Sequence, residues 1–233
     1  MTPEKDLDGY IKNYTPFNDW LISRRYEYLA QFFVGSSCIE LGSAEGSGTP
    51  FLHDHFAEVT VVDGSRDALD AVERKIKSQR LTTVHSYFED LDLGDKKFDT
   101  VVLAHILEHV DDPKAVLSKA RELVADGGVI VVDVPNGDSL HRQVGVSMGL
   151  LDHNTELNAA DLSIGHQRVY TPTSFQTELE SAGLVVERFG GMFIKVLSNA
   201  QTEQVFNDDQ LEALFTVGAQ NPEISAEIFA ICR

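Results

Sequence analysis

A glycine-rich turn with carboxylates around it is the stretch of this chain best suited to chemistry. Residues 37–48 read Ser-Cys-Ile-Glu-Leu-Gly-Ser-Ala-Glu-Gly-Ser-Gly, which predicts a short buried strand, a turn and the start of a helix. Glycines at positions 42, 46 and 48 permit positive φ angles and a close approach of ligand to backbone. Free N–H groups at the start of the next helix make such a turn a common small-molecule site.

The charges around the turn restrict the ligand. Glu40 and Glu45 flank the turn and would repel a pyrophosphate. A dinucleotide-binding turn that starts at Gly42 would carry a glycine where this chain has Ala44. The turn also lacks the Gly-Lys-Ser/Thr ending of a nucleoside-triphosphate loop. A ligand that carries ammonium and sulfonium cations suits these charges better.

Asp63 is a second candidate binding residue. It ends the β-branched run Val-Thr-Val-Val-Asp and lies 23 residues after Glu40. An acid in that place can accept hydrogen bonds from both hydroxyls of a ribose. The alternative role is a helix cap, but Ser65 already supplies one. We favour ribose binding.

These residues must be positioned by alternating strands and helices. Strand-like runs occur at residues 38–41, 59–63, 82–88, 98–104 and 129–134, with helical patterns between most of them. Such alternation predicts right-handed βαβ units and a parallel sheet. Because ligands bind beyond the carboxyl ends of parallel strands, this rule selects residues 42–48, 63–65, 88–90, 104–109 and 135–136.

The flanking segments predict additions to this core. Residues 7–33 are predicted to be helical with a break at Thr15-Pro16, and they are either a packing element or a lid, with Tyr14 as a lid candidate. Residues 136–165 read as a long irregular, substrate-side connection. Helices at 175–182 and 208–219 and strands at 184–189, 192–197 and 225–232 follow. We predict one domain: a lid (1–34), a core (36–136), a loop (137–165) and a C-terminal part with an inserted helix (166–233).

Composition excludes several classes of protein. The 233 residues carry a formal net charge of −18 without a broad basic stripe, which argues against a nucleic-acid partner. No apolar run has the length of a membrane span, and the N-terminus does not resemble a signal peptide, so we expect a cytoplasmic protein with no membrane partner. Cys38 and Cys232 are predicted to be reduced core thiols, and no Cys/His cluster has zinc spacing, so we expect no metal.

Several motifs together resemble a known family. They are Ile39-Glu40-Leu41-Gly42-x-x-x-Gly46, Val62-Asp63-Gly64-Ser65, Phe88-Glu89-Asp90-Leu91, Phe98-Asp99-Thr100-Val101-Val102 and Ile106-Leu107-Glu108-His109-Val110. In this order they resemble the motifs of class I S-adenosylmethionine-dependent methyltransferases, in the branch that includes the ubiquinone-biosynthesis O-methyltransferases. The similarity is clearest over residues 36–136. Ala44 departs from it, because the family usually has glycine there.

The resemblance implies a fold, a cofactor and an activity. The fold is α/β, a Rossmann-like, mostly parallel sheet of seven strands with helices on both faces, the last strand antiparallel and an N-terminal helical lid. The cofactor is S-adenosylmethionine, and the activity is methyl transfer to an oxygen or nitrogen nucleophile of a small molecule. We expect a monomer or a homodimer.

The resemblance also implies roles for individual residues. Glu40 orients the glycine turn, while Gly42, Ser43, Ala44 and Gly46 approach the methionine part of the cofactor. Asp63 holds the ribose, and Gly64 and Ser65 line the adenosine. Phe88 and Glu89 face the adenine, whereas Ala104, His105 and Ile106 lie near the sulfonium. Arg24 and Arg25 are candidates for binding the cofactor carboxylate, and surface arginines are the alternative.

A general base is needed only if the acceptor has a proton to lose, and histidine suits that task near neutral pH. The catalytic candidates are His105, His109 and His166, although a structural role is also open for His109. The substrate-binding candidates are Tyr14, His153, His166 and Arg168. His166 and Arg168 can instead tie the long loop to the sheet.

Two other functions remain open. A nicotinamide-dependent oxidoreductase would share the strand–turn–helix pattern, although Ala44, Glu45 and the Leu107-Glu108-His109-Val110 segment count against it. A non-catalytic relative could retain the cofactor site. Within the methyltransferases, a peptide or sugar acceptor is an alternative to a small biosynthetic intermediate.

Overall fold

Seven strands form one sheet in the computed structural model, which describes residues 15–233. The strands are β1 (Ser37–Leu41), β2 (Glu58–Asp63), β3 (Leu81–His85), β4 (Phe98–Ala104), β5 (Val124–Pro135), β6 (Val186–Met192) and β7 (Glu227–Cys232). Tyr14 and the first part of the predicted N-terminal helix lie outside the described residues.

The strand order is β3-β2-β1-β4-β5-β7-β6. The first five strands pair in parallel, and β7 is antiparallel to both β5 and β6. The predicted mostly parallel sheet with an inserted antiparallel last strand is therefore confirmed. The order reverses at β1, which pairs with both β2 and β4, so the switch point lies beside the glycine turn.

Helices cover both faces of the sheet. They are α1 (Pro16–Leu29), α2 (Thr49–His55), α3 (Arg66–Lys75), α4 (Pro113–Leu123), α5 (Leu140–Ser147), α6 (Ala159–Ser163), α7 (Pro172–Ser181), α8 (Asn199–Val205) and α9 (Asp208–Gln220). Side-chain caps mark several starts: Ser65 accepts from the Ala68 N–H, and Asp112 accepts from the Ala115 N–H ahead of Pro113.

The apolar core has two parts, one on each face of the sheet. Helices α4 and α7 pack on one face, where Leu117 and Phe175 are fully buried. Helices α1, α2, α3 and α9 pack on the other, where Phe17 and Phe215 are buried. Strands β1, β4 and β5 are apolar on both faces because both are covered.

The structure corrects the prediction in two regions. Residues 136–165 are not one irregular connection, because they contain α5 and α6. Residues 192–197 do not form a separate strand: β6 ends at Met192, and Phe193 has a φ angle of 61°. The predicted free thiols are confirmed, since Cys38 and Cys232 are both buried and unpaired.

None of the helices within residues 15–233 combines the length and the hydrophobicity needed to cross a membrane.

Candidate active site

The glycine turn is left-handed at two of its three glycines and at Ala44, whereas Gly48 has a φ angle of −88°. Gly42, Ala44 and Gly46 have φ angles of 84°, 45° and 67°, in the region that favours glycine. The Gly42 N–H donates to the Val62 carbonyl at 2.8 Å, which holds the start of the turn against β2. Ala44 therefore takes a left-handed conformation at a position where glycine would be less strained.

Asp63 at the end of β2 ties the turn to the next helix. Its Oδ2 accepts a hydrogen bond from the Ser43 N–H at 2.9 Å, and its Oδ1 accepts one from the Ser65 N–H at 2.8 Å. The side chain is half-buried. The Ser43 hydroxyl also donates to Oδ2 at 3.3 Å. Because an ionised carboxylate has about four acceptor sites, Asp63 can still accept from a ligand hydroxyl.

Two side chains lie over the first glycine of the turn. A Cβ atom on Gly42 would come within 2.1 Å of Ile106 Cδ1 and 3.5 Å of Phe88 Cζ. At Gly64 a Cβ would lie 3.0 Å from the Tyr87 ring. The ends of apolar side chains therefore line the space against these glycines.

Glu40 is buried within β1 and contacts two helices. It accepts hydrogen bonds from the Tyr26 hydroxyl at 2.9 Å and the Thr49 hydroxyl at 2.7 Å. Burial raises its pKa to about 7, against the opposing effect of these two hydrogen bonds. Its partners are therefore in α1 and α2, so any influence on the glycine turn acts through Thr49 at the start of α2.

A buried group of charged side chains lies at the ends of β5 and β7. The Arg25 guanidinium donates to Glu227 through Nε at 3.0 Å and Nη2 at 2.5 Å, and its Nε lies 3.3 Å from Asp133 Oδ2. From the sequence, Arg25 is a candidate for binding the cofactor carboxylate, with a surface arginine as the alternative. The structure instead places it inside, against carboxylates of the protein itself, while Arg24 pairs with Glu27 and Glu212.

His105 joins this buried group from the end of β4. Its Nδ1 is 3.4 Å from Glu108 Oε1, and its Nε2 is 3.4 Å from both Asp133 Oδ2 and Glu227 Oε1. Its φ angle is 54°, an uncommon conformation for a residue other than glycine. The side chain is 27% exposed, whereas those of the three carboxylates are nearly inaccessible, so His105 is the member of this group that a ligand can reach.

The charges of this group are set by burial and by Arg25. Burial and the Arg25 cation lower the pKa of His105 to about 4, so its imidazole is neutral at neutral pH. Burial raises the pKa of Asp133 to about 7 and that of Glu108 to about 8. Burial also acts on Glu227, but the Arg25 cation outweighs it and lowers that pKa.

His109 and His166 come together on the other side of Glu108. Their ring centroids are 4.7 Å apart. Gln167 and Arg168 hold this arrangement: the Gln167 N–H donates to the Glu108 carbonyl, and Arg168 Nη1 donates to the carbonyls of Leu107 and Val110. The Arg168 guanidinium thus contacts backbone, as expected for a residue that ties the loop to the sheet.

The remaining candidates lie apart from this centre. His153 is exposed and contacts Thr155 within its own loop. Glu89 is exposed, and Phe88 is half-buried. The structure therefore brings His105, His109 and His166 together near the ends of β4 and β5 and leaves His153 outside.

Asp133 and Glu227 are members of the site that sequence reasoning missed. Each is an acid within an apolar strand, in Val-Ile-Val-Val-Asp-Val and in Glu-Ile-Phe-Ala-Ile-Cys. A carboxylate in a strand that is covered on both faces needs a buried partner. The single acidic residue in each apolar run is therefore the feature of the sequence that could have identified Asp133 and Glu227.

Known proteins provide an independent comparison. A family model described as a methyltransferase domain matches residues 16–188, well over half of the chain. A probable S-adenosylmethionine-dependent methyltransferase of Mycolicibacterium smegmatis is 28% identical over 196 residues, which cover 83% of this chain and 68% of that protein. A ubiquinone biosynthesis O-methyltransferase of Coxiella burnetii is 26% identical over 117 residues, covering 48% of this chain and only 50% of that protein.

Solved structures share the fold. The N-methyltransferase NodS from Bradyrhizobium japonicum, in complex with S-adenosyl-L-homocysteine, superposes with a TM-score of 0.60 at 16% sequence identity. The match covers 94% of this chain and 88% of that one. At this level of identity the similarity concerns the architecture.

Proposed function

Because this chain belongs to the S-adenosylmethionine-dependent methyltransferases, we propose that it transfers the cofactor's methyl group to an oxygen or nitrogen nucleophile of a small molecule. The observation that carries the proposal is Asp63, whose carboxylate ends β2 at the topological switch point and binds the turn through Ser43. A ribose is the ligand group that this acid suits.

The bound cofactor would supply an electrophilic methyl carbon on a sulfonium. The chain's own contribution is chiefly to hold the acceptor in line with that carbon, since proximity and orientation can provide a large part of the rate enhancement. Gly42, Ser43, Ala44 and Gly46 would line the methionine part, with Gly64, Ser65, Phe88 and Glu89 around the adenosine. Ala104 and Ile106 would lie near the sulfur, between these two groups.

His105 is the residue we assign to proton removal where the acceptor is a hydroxyl or an ammonium group. Its imidazole is neutral, partly exposed and surrounded by carboxylates at 3.4 Å. The ring can therefore accept a proton, and Glu227, the carboxylate of the three whose pKa is lowered, would offset part of the cost of charging it. His109 follows β4 and His166 lies in the connection after β5, and the two would line the acceptor side beside His105. Arg168 would hold that connection in place, and His153 would lie farther out.

Cofactor binding is tested by titration calorimetry with S-adenosylhomocysteine. We expect saturable binding to the wild-type chain and a loss of at least about tenfold in affinity for Asp63→Asn, since a carboxylate hydrogen bond contributes about 1.5–3 kcal/mol. Asp126→Asn, at an exposed acid near the start of β5, is the matched control and should bind as the wild type does. NADH, titrated in parallel, should give no heat of binding.

The acceptor class is tested with a methyl-labelled cofactor and a panel of phenols, carboxylates, amines, sugars and short peptides. Label transfer to the phenols, the carboxylates or the amines would support the proposal. Binding of S-adenosylhomocysteine without transfer to any compound would favour a non-catalytic relative, and transfer to sugars or peptides alone would replace the proposed acceptor class.

A further inference from the structure

Glu108 carries a buried carboxylate that the mechanism does not need. The residue is 1% exposed, and neither carboxylate oxygen accepts a hydrogen bond from any other residue in the described part of the chain. Nδ1 of the partly exposed His105 lies 3.4 Å from Glu108 Oε1 without donating a hydrogen bond to it. A buried carboxylate without hydrogen bonds is costly, so it indicates that a partner is missing.

Two histidines face the same point as Glu108. One potential ligand atom from each of Glu108, His109 and His166 lies within 4.8 Å of the other two. The side chain of His166 is only 9% exposed. A carboxylate and two imidazoles at such distances can converge on a single cation with little movement.

Each of these imidazoles also has a contact that would fix its orientation. Nδ1 of His109 lies 3.3 Å from the Gly165 carbonyl, and Nδ1 of His166 lies 3.5 Å from Asp161 Oδ1. Asp161 is itself held by Arg142 at 3.2 Å. Histidines that bind metals usually contact a carbonyl or a carboxylate through their second ring nitrogen, which sets the tautomer and the ring orientation.

The backbone around the three residues is held in place. Gln167 donates its N–H to the Glu108 carbonyl and its side-chain amide to the His109 carbonyl at 2.7 Å. The segment that carries His166 is therefore fastened to the segment that carries Glu108 and His109. The ligands come from two segments that are fixed relative to each other, although 57 residues separate His109 from His166.

A second group of potential metal ligands already contains a cation from the protein. His105, Asp133 and Glu227 also lie within ligand distance of one another. However, the Arg25 guanidinium already binds Glu227 through two nitrogens and approaches Asp133, which supplies positive charge there. Asp133 also accepts no hydrogen bond, but it has this cation beside it, whereas no arginine or lysine within residues 15–233 forms an ion pair with Glu108.

We propose that Glu108, His109 and His166 form a binding site for one divalent first-row transition metal ion, with Zn²⁺ as the best-suited ion. Two imidazoles and one carboxylate favour such ions over Mg²⁺ or Ca²⁺, which prefer oxygen ligands throughout. Three protein ligands leave at least one coordination position for water or another small ligand. From the sequence we predict no metal, because these ligands do not have the spacing of a compact zinc motif.

The test uses the full chain after treatment with a chelator and removal of that chelator. Titration with ZnCl₂ should show one ion bound per chain, and titration with MgCl₂ should show much weaker binding. Glu108→Gln and His166→Ala should each weaken Zn²⁺ binding by at least about 100-fold. His55→Ala removes an exposed imidazole at the end of α2 and should leave the affinity unchanged. Equal affinity in all four proteins, or no bound zinc in the wild type, would overturn the proposal.

A spectroscopic measurement on the wild-type chain avoids any dependence on the folding of the variants. Pulsed electron paramagnetic resonance with one equivalent of Cu²⁺ should show nitrogen couplings from two imidazoles, and His109→Ala should reduce them to one. The absence of nitrogen couplings would refute the site. Because S-adenosylhomocysteine binding is measured separately, failure of the metal site would leave the proposed methyltransferase function untouched.

Discussion

At the scale of single residues, the carboxylate of Glu40 makes stability depend on pH. Its folded pKa is about 7, above the value of about 4.3 expected in an unfolded chain. Between these values the folded state keeps a proton that the unfolded state has lost. The contribution of Glu40 to stability is therefore complete below about pH 4 and is lost as pH rises to about 7, by up to about 1.4 kcal/mol per pH unit.

Glu40→Gln isolates this effect because glutamine resembles the protonated acid and can still bond to the hydroxyls of Tyr26 and Thr49. The wild-type free energy of unfolding minus that of the variant should fall from pH 4.5 to pH 7 and become constant above pH 8. Urea denaturation at each pH measures it. Glu58→Gln, at an exposed acid of β2, should give a constant difference, and a constant difference for Glu40→Gln would contradict the buried-acid interpretation.

Gly42 is constrained both by its backbone and by its neighbour. Gly42→Ala should lower the free energy of unfolding by about 1–2 kcal/mol, because a side chain at a φ of 84° is strained and its Cβ would meet Ile106. Urea denaturation of Gly42→Ala, Ile106→Ala and the double variant separates the two causes. If backbone strain dominates, Gly42→Ala should lower the free energy of unfolding by the same amount in the Ile106→Ala background. If Gly42→Ala costs nothing in that background, only the contact with Ile106 matters.

At the scale of secondary structure, α1 is anchored across the sheet by polar contacts. Tyr26 reaches Glu40 in β1, and Arg25 reaches Glu227 in β7 and Asp133 in β5. Arg25→Met should cost about 3–5 kcal/mol, since it leaves buried carboxylates without their cation. Thermal unfolding should show this loss, and hydrogen exchange should show weaker protection of α1.

Arg24→Met is the matched control on the same helix. Arg24 pairs with Glu27 and Glu212, whose side chains are each 44% exposed, so the change should cost about 1 kcal/mol or less. In a Glu227→Gln background, Arg25→Met should cost less than in the wild type, because one buried negative charge has already been removed. Equal costs for Arg24→Met and Arg25→Met would show that the buried pairing contributes little.

The elements that could be predicted from sequence are those with a strong local signal. Continuous apolar runs predicted β1, β4 and the centre of β5, and Ser65 together with the spacing of apolar residues predicted α3. Helix α6 has five residues and lies in a segment that is held from outside, by Arg142 donating to the carbonyls of Asn154 and Glu156. Such tertiary contacts leave no periodic pattern in the chain.

The residues of the candidate site also divide into those with a local signal in the sequence and those brought together only by the fold. Asp63 could be predicted as a binding residue from its position at a strand end and its distance from the glycine turn. The pairing of Arg25 with Glu227 joins residues 202 positions apart, and the approach of His166 to Glu108 depends on the path of the intervening helices. The first contact needs the place of β7 beside β5, and the second needs the return of the chain after β5 to the end of β4.

At the scale of the whole molecule, the formal net charge of −18 opposes compaction through mutual repulsion. Raising NaCl from 10 to 100 mM shortens the screening length from about 30 to about 10 Å. This change should raise the free energy of unfolding at pH 7, because exposed ion pairs such as Arg66 with Asp70 contribute little that screening could remove. Urea denaturation measures the change without adding ions.

The matched control for this salt effect is the same experiment at pH 5. The isoelectric point of the sequence is about 4.7, so the net charge is much smaller there and the repulsion is weaker. Salt should then stabilise the protein less than it does at pH 7. An equal stabilisation at both pH values would point to general salting-out of apolar surface, and a destabilisation at pH 7 would mean that attractive surface pairs outweigh the repulsion among the 37 acidic residues.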